Sequence, residues 1–142
     1  MANQTDNNQQ QQQMQKVYME YQMLDQQVKQ MEKQLQAIES QIIDLQGIII
    51  NLDEFKSVNK GKEILFQLSP GIFSKAKLND ANELIVNVGA GIAVTKNIEQ
   101  TKEILSRQLN EMQQVSVQIS NEIRSLVTRA AQIEQELGML KG

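Results

Sequence analysis

The sequence predicts an α+β chain that is mainly α: a long antiparallel two-helix coiled coil with two β-hairpins inserted between the helices. Three observations carry this expectation. Apolar residues step alternately by three and four near both ends of the chain, the 3.5-residue period of a left-handed coiled coil. Between the two series the apolar period changes to two, cut by clusters of Pro, Gly, Asn and Asp. The composition agrees: 142 residues include one Pro, no Trp and 4% aromatics, while Gln, Leu, Ile and Glu are plentiful, as in long helices.

Residues 1–13 form a polar Asn/Gln tail without apolar periodicity, and seven of the chain's 23 glutamines fall in its first fifteen residues. Nothing there can bury apolar surface, so a disordered tail is expected. A single domain over 14–142 follows. Its first helix spans 14–60, with the seam Met14, Val17, Tyr21, Leu24, Val28, Met31, Leu35, Ile38, Ile42, Leu45, Ile49 and Leu52 apolar throughout. Asn59 and Gly61 offer a stop.

The insert, 61–96, reads as four short strands. Ile64, Phe66 and Leu68 alternate with Leu65 and Gln67, and Leu84, Val86 and Val88 with Ile85 and Asn87. Ser69-Pro70-Gly71, Asn79-Asp80-Ala81-Asn82 and Gly89-Ala90-Gly91 mark the turns. Four short strands cannot hide their own edges, so this region is expected to be an oligomerisation module.

The second helix is expected over 97–140. Asn97 and Gln100 have the spacing of a capping box. Its seam is Leu105, Leu109, Met112, Ser116, Ile119, Ile123, Leu126, Ala130, Ile133, Leu137 and Leu140, apolar except at Ser116. At ~1.5 Å per residue the stretches Met14–Phe55 and Asn97–Leu140 run roughly 60–65 Å each, so they can zip together with both termini at one end. Ser116 and Ala130 are small for a seam; local loosening of the pair is one reading of them, and an imperfection that the seam tolerates is the expected one.

Several chemistries are disfavoured. Without Cys or His the chain has no thiol nucleophile, imidazole base or zinc-type ligand set, so no catalytic residue, metal or cofactor is expected. Lys60-Gly61-Lys62 lacks the spaced glycines of a phosphate loop, and Gly89-Ala90-Gly91 has Val94 where a dinucleotide fingerprint needs its third glycine. A net charge of −3 with five aromatics gives no basic or stacking surface for nucleic acid. The longest aliphatic run, Ile48 to Ile50, is far short of a membrane span. A cytoplasmic protein without membrane or nucleic-acid partners is expected.

What remains is apolar surface off the seam. Tyr18, Met19 and Met23 face away from the partner helix, as does Met139 beside the seam residues Leu137 and Leu140. Flexible, polarisable methionines beside an aromatic suit a surface that accepts apolar groups of varied shape. Ile43, Ile48 and Ile50, also off the seam, are expected to pack on the sheet region.

The stretch Leu68-Ser69-Pro70-Gly71-Ile72-Phe73-Ser74-Lys75-Ala76-Lys77-Leu78, followed by Glu83-Leu84-Ile85-Val86-Asn87-Val88-Gly89-Ala90-Gly91-Ile92-Ala93-Val94, resembles the hairpin region of prefoldin alpha-type subunits. Helix, two hairpins and helix follow in the same order, over roughly residues 14–140. Beta-type subunits carry one hairpin, so four strands favour the alpha type. The resemblance implies an alpha2beta4 hexamer whose hairpins assemble into an intersubunit β-barrel, with interface residues Ile64, Phe66, Leu68, Ile72, Phe73, Leu84, Val86, Val88, Ile92 and Val94. It implies ATP-independent capture of unfolded polypeptide clients at the coiled-coil ends, and transfer to a group II chaperonin. Capture would fall to Met14, Val17, Tyr18, Met19, Tyr21, Met23 and Leu24, with Ile133, Leu137, Met139 and Leu140. Two alternatives share the architecture: a coiled-coil tether that binds folded partners, and a gamma-type paralogue that forms filaments of its own kind.

Overall fold

The computed structural model describes residues 2–58 and 60–141. Helix α1 (Ala2–Phe55) is followed by strands β1 (Glu63–Ser69), β2 (Ile72–Lys77), β3 (Leu84–Gly89) and β4 (Ile92–Lys96), and then by helix α2 (Ile98–Lys141). The chain forms two compact units, one of Met1–Ser40 with Gln113–Gly142 and one of Gln41–Met112.

The first unit is purely helical. Along α1 in this unit the less exposed residues are Met14, Val17, Tyr21, Leu24, Val28, Met31, Leu35 and Ile38, the 3–4 series read from the sequence. Along α2 every seam position from Ser116 to Leu140 is likewise covered, joined by Ser120, and Ile133 is fully buried. Cross-helix bonds fix the direction. Gln10 meets Leu140, Glu20 meets Arg129 and Tyr21 meets Glu134, so numbers rise on one helix as they fall on the other.

One expectation is corrected here. Residues 2–13 are helical, as the first turns of α1, instead of disordered. The tract contains neither Pro nor Gly, and Gln has good helix propensity. Extending an existing helix avoids the nucleation cost that defeats short isolated helices. Gln10 also donates its side-chain amide to the Leu140 carbonyl at 3.4 Å, in the last turn of α2, where carbonyls lack intrahelical partners. Met1 and Asn59 lie outside the described residues.

The second unit holds the C-terminal turns of α1, both hairpins and the start of α2. Its buried side chains are Leu45, Ile98 and Thr101. The expected capping box is present: the Gln100 amide donates to Asn97 Oδ1 at 2.8 Å, and Gln100 Oε1 accepts from the Asn97 amide at 3.2 Å. Ile98, the first residue of α2, is thereby fixed in a fully buried site. Lys56 pairs with Glu99 at 2.7 Å, and Lys102 pairs with Asp53.

β1 and β2 pair antiparallel around Pro70-Gly71, with Ser69 opposite Ile72. Pro at the first turn position and Gly71 at φ +79° fit a type II turn. The backbone bonds Gly61 N–H to Leu78 O and Leu78 N–H to Lys62 O carry the ladder past the strand ends. β3 and β4 pair around Ala90-Gly91, with Gly89 opposite Ile92. There both turn residues have positive φ, +52° for Ala90 and +73° for Gly91, as a type I′ turn requires. Each hairpin is a separate two-stranded sheet. A lone hairpin is marginal in water, and each leaves two edges unpaired within this chain.

Candidate functional site

Apolar surface exposed by the fold falls into two sets, one in each unit. In the helical unit Tyr18 is 54% exposed, Met19 62%, Met23 69% and Met139 80%. The seam explains this. Tyr18, Met19 and Met23 occupy helix positions that turn away from α2, and Met139 turns away from α1. The bonds Gln10–Leu140 and Tyr21–Glu134 tie the two helices together along this part of the pair.

The other residues read as contacts are arranged differently. Met14, Val17, Tyr21, Leu24, Leu137 and Leu140 are half-buried in the seam, so they present an edge rather than a face. Ile133 is fully buried and offers nothing to a partner while the helices stay paired. Tyr21 donates its hydroxyl to Glu134 Oε1 at 2.8 Å. That bond, with the carboxylate's charge behind it, holds the phenol above its ordinary pKa. Arg129 binds Glu20 through Nη2 at 3.1 Å and lies 4.0 Å from Glu136. At the small seam residue Ala130 a groove of about 250 Å³ opens, lined by Tyr21, Asp25, Val28, Val127, Ala130, Ala131 and Glu134.

In the hairpin unit Phe66, Leu68, Ile72, Phe73, Val88 and Ile92 are exposed, as an interface demands. Ile64, Leu84, Val86 and Val94 are half-buried; Ile64 shares its face with Phe66, whereas Phe73, opposite Gln67, lies on the other face of that hairpin. β3 also borders a cleft with α2, lined in part by Val86, Val88, Thr101, Ile104 and Leu105. Sequence reasoning missed two residues. Leu65 and Ile85 point to the opposite faces and are among the most exposed, Ile85 at 79%. The register sets Leu65 among Glu63, Gln67, Lys75 and Lys77, and Ile85 beside Asn87 and Thr95, so each is an apolar residue on a largely polar side, a signal that alternation alone does not single out.

The isoleucines at the end of α1 need correction. Ile48 lines a groove with Asn51, Leu52, Phe55 and Leu84, as expected. Ile43 and Ile50 do not pack on the sheet region; they are 67% and 59% exposed. At ~100° per residue they lie on the side of α1 away from its seam. Among the described residues no group of His, Cys, Asp or Glu is placed to hold a metal ion, and no helix is long and apolar enough to cross a membrane.

Comparison with known proteins agrees with this architecture. The family model described as prefoldin subunit matches residues 24–141. The chain belongs to the prefoldin family. The prefoldin subunit alpha of Thermofilum pendens is 25% identical over 118 residues, covering 83% of this chain and 92% of the relative. That of Pyrococcus horikoshii is 26% identical over 134 residues, covering 89% and 90%. Among solved structures, the filamentous PFD from Methanocaldococcus jannaschii, seen by cryo-EM, aligns with a TM-score of 0.74 at 14% identity, covering 82% of this chain and 97% of its own. At that identity the likeness speaks for the fold. The chain is thus an archaeal prefoldin alpha-type chaperone subunit, one that assembles with other prefoldin subunits. In this fold the β-barrel is completed across subunits, which accounts for the open hairpin edges.

Proposed function

We propose that this chain serves an ATP-independent cochaperone that captures non-native polypeptides at its paired helix ends and passes them to a group II chaperonin. The observation that carries the reading is the exposure of Tyr18, Met19, Met23 and Met139 on the outer sides of the paired helices. An unfolded client offers apolar groups of every shape. Methionine, unbranched and polarisable, adapts to them without a fixed pocket. Each such contact is weak. Beta-type subunits, in an alpha2beta4 hexamer, would supply further ends around one client, and linked weak sites hold a chain while letting each contact release. Such grip needs no nucleotide, and the work takes place in the cytoplasm.

The test is suppression of aggregation, without ATP, of a chemically unfolded protein diluted into the complex of this chain with prefoldin beta subunits. Changing Tyr18, Met19 and Met23 together to Ser is expected to leave the complex at its full mass and to weaken capture several-fold. Full capture by the variant would remove these residues from the client surface. The filamentous assembly of the Methanocaldococcus protein motivates a second reading, a homopolymer. Light scattering on the chain without beta subunits decides it: long polymers favour the filament, and small species favour the hetero-oligomer.

A further inference from the structure

Gly47 sits inside helix α1, where glycine weakens a helix relative to alanine. Nothing in this chain asks for it. A Cβ built on Gly47 meets no atom within 4 Å, and the residue lies in a helical interior, where no positive φ is needed. Four residues before it and three after it stand Ile43 and Ile50, both exposed. That i, i+4, i+7 spacing puts the three on one helix face, turned away from the seam. A large apolar residue on either side of a bare backbone makes a notch, the shape that admits close approach by another chain.

We propose that the Ile43–Gly47–Ile50 face is a second contact of the subunit assembly, covered by a neighbouring prefoldin subunit. Two arguments choose that occupant. The face lies in the same compact unit as the hairpins, which already hold neighbouring subunits in this fold. It is also small: two isoleucines and a glycine fall far below the ~800 Å² per partner of a self-sufficient interface, so it suits a partner held elsewhere. The contact extends the assembly surface from the hairpins onto α1. It is independent of client capture, because none of its residues lies in the helical unit that carries Met19, Met23 and Met139.

The test exploits opposite signs. Gly47→Leu supplies a better helix former in open space, so the chain alone should melt at a higher temperature, followed by circular dichroism at 222 nm. In titrations with prefoldin beta subunits the same variant should bind about tenfold more weakly or worse, because its side chain fills the notch. Ile43→Gln with Ile50→Gln should also weaken assembly by about tenfold or more, with helix content unchanged. Assembly as tight as that of the unchanged chain, in either variant, overturns the proposal. So does a Gly47→Leu chain less stable on its own, since that would place a partner for Gly47 within this chain. Aggregation suppression at saturating subunit concentration should be unaffected in both variants, which separates this contact from the client surface.

Discussion

The two units expose apolar surface of different kinds. Toward the chain termini the helical unit shows Tyr18, Met19, Met23 and Met139, three of the four unbranched and flexible, with Val115, Val117 and Val127 exposed elsewhere along α2, on helices whose seam is already covered. The hairpin unit shows Leu65, Phe66, Leu68, Ile72, Phe73, Ile85, Val88 and Ile92, mostly stiff or β-branched, on strands that cannot stand alone. Flexible side chains on a finished structure fit a partner that varies. Stiff side chains on an unfinished sheet fit one partner of fixed shape. The kind of residue left in water therefore separates transient from permanent contact, where exposure by itself does not.

The largest expected effect breaks the hairpin side of this contrast. Phe66→Lys with Val88→Lys puts two charges on exposed hairpin residues expected to meet other subunits, and the complex with other prefoldin subunits should be lost by light scattering while α1 and α2 remain helical. Survival of the complex would show these faces to be open to water. Next comes the seam. Ile133→Ala empties a fully buried site and should cost about 2–5 kcal/mol in denaturant unfolding. A loss below ~1 kcal/mol would mean that the helical unit is less finished than its burial implies. Then the turn: Gly91→Ala meets no atom within 4 Å, so its expected cost of about 1–2 kcal/mol comes from φ +73° alone. Ala90→Gly should shift stability the other way.

The smallest effect is electrostatic. Lys56 donates to Glu99 and holds its carboxyl below the ordinary pKa. A lowered folded-state pKa adds stability that is present above the unfolded value and lost as pH falls through the folded one. Glu99→Gln should therefore melt slightly lower than the unchanged chain at neutral pH, and the gap should close by pH ~2. A gap that persists in acid would assign Glu99 a packing role. The pair is fully solvated, so salt should shrink the effect as well.

The seam was legible to the residue because burial repeats every 3.5 positions and the sequence repeats with it. The capping box was legible because two side chains at a fixed spacing satisfy two named donors. Both turns were legible from Pro70-Gly71 and Gly89-Ala90-Gly91, since backbone sign is written in residue type. Three things were not. The helix over residues 2–13 buries nothing, so no apolar pattern announces it. Leu65 and Ile85 lie on the largely polar faces of their hairpins, and a period of two cannot say which face meets a partner. Ile43 and Ile50 are exposed and not packed on the sheet region, because a 3.5-residue period marks the seam and does not say what meets the residues off it. Tyr18, Met19, Met23 and Met139 were legible as off-seam surface, and Ile133 as seam, though only the structure shows it fully buried.

The bulges at Leu68 and Val88 bear on errors of assembly. In each hairpin the register shifts one step before the turn, between Gln67 and Ser69 and between Asn87 and Gly89. A bulge beside a two-residue turn pins the strand pairing, because sliding by one residue would have to move the irregularity and turn every side chain to the other face. Each free edge thus reaches its neighbour with its donors, acceptors and side-chain parity already chosen. Within each hairpin there is then no graded series of slipped pairings, so a neighbouring subunit meets one edge and not a family of them.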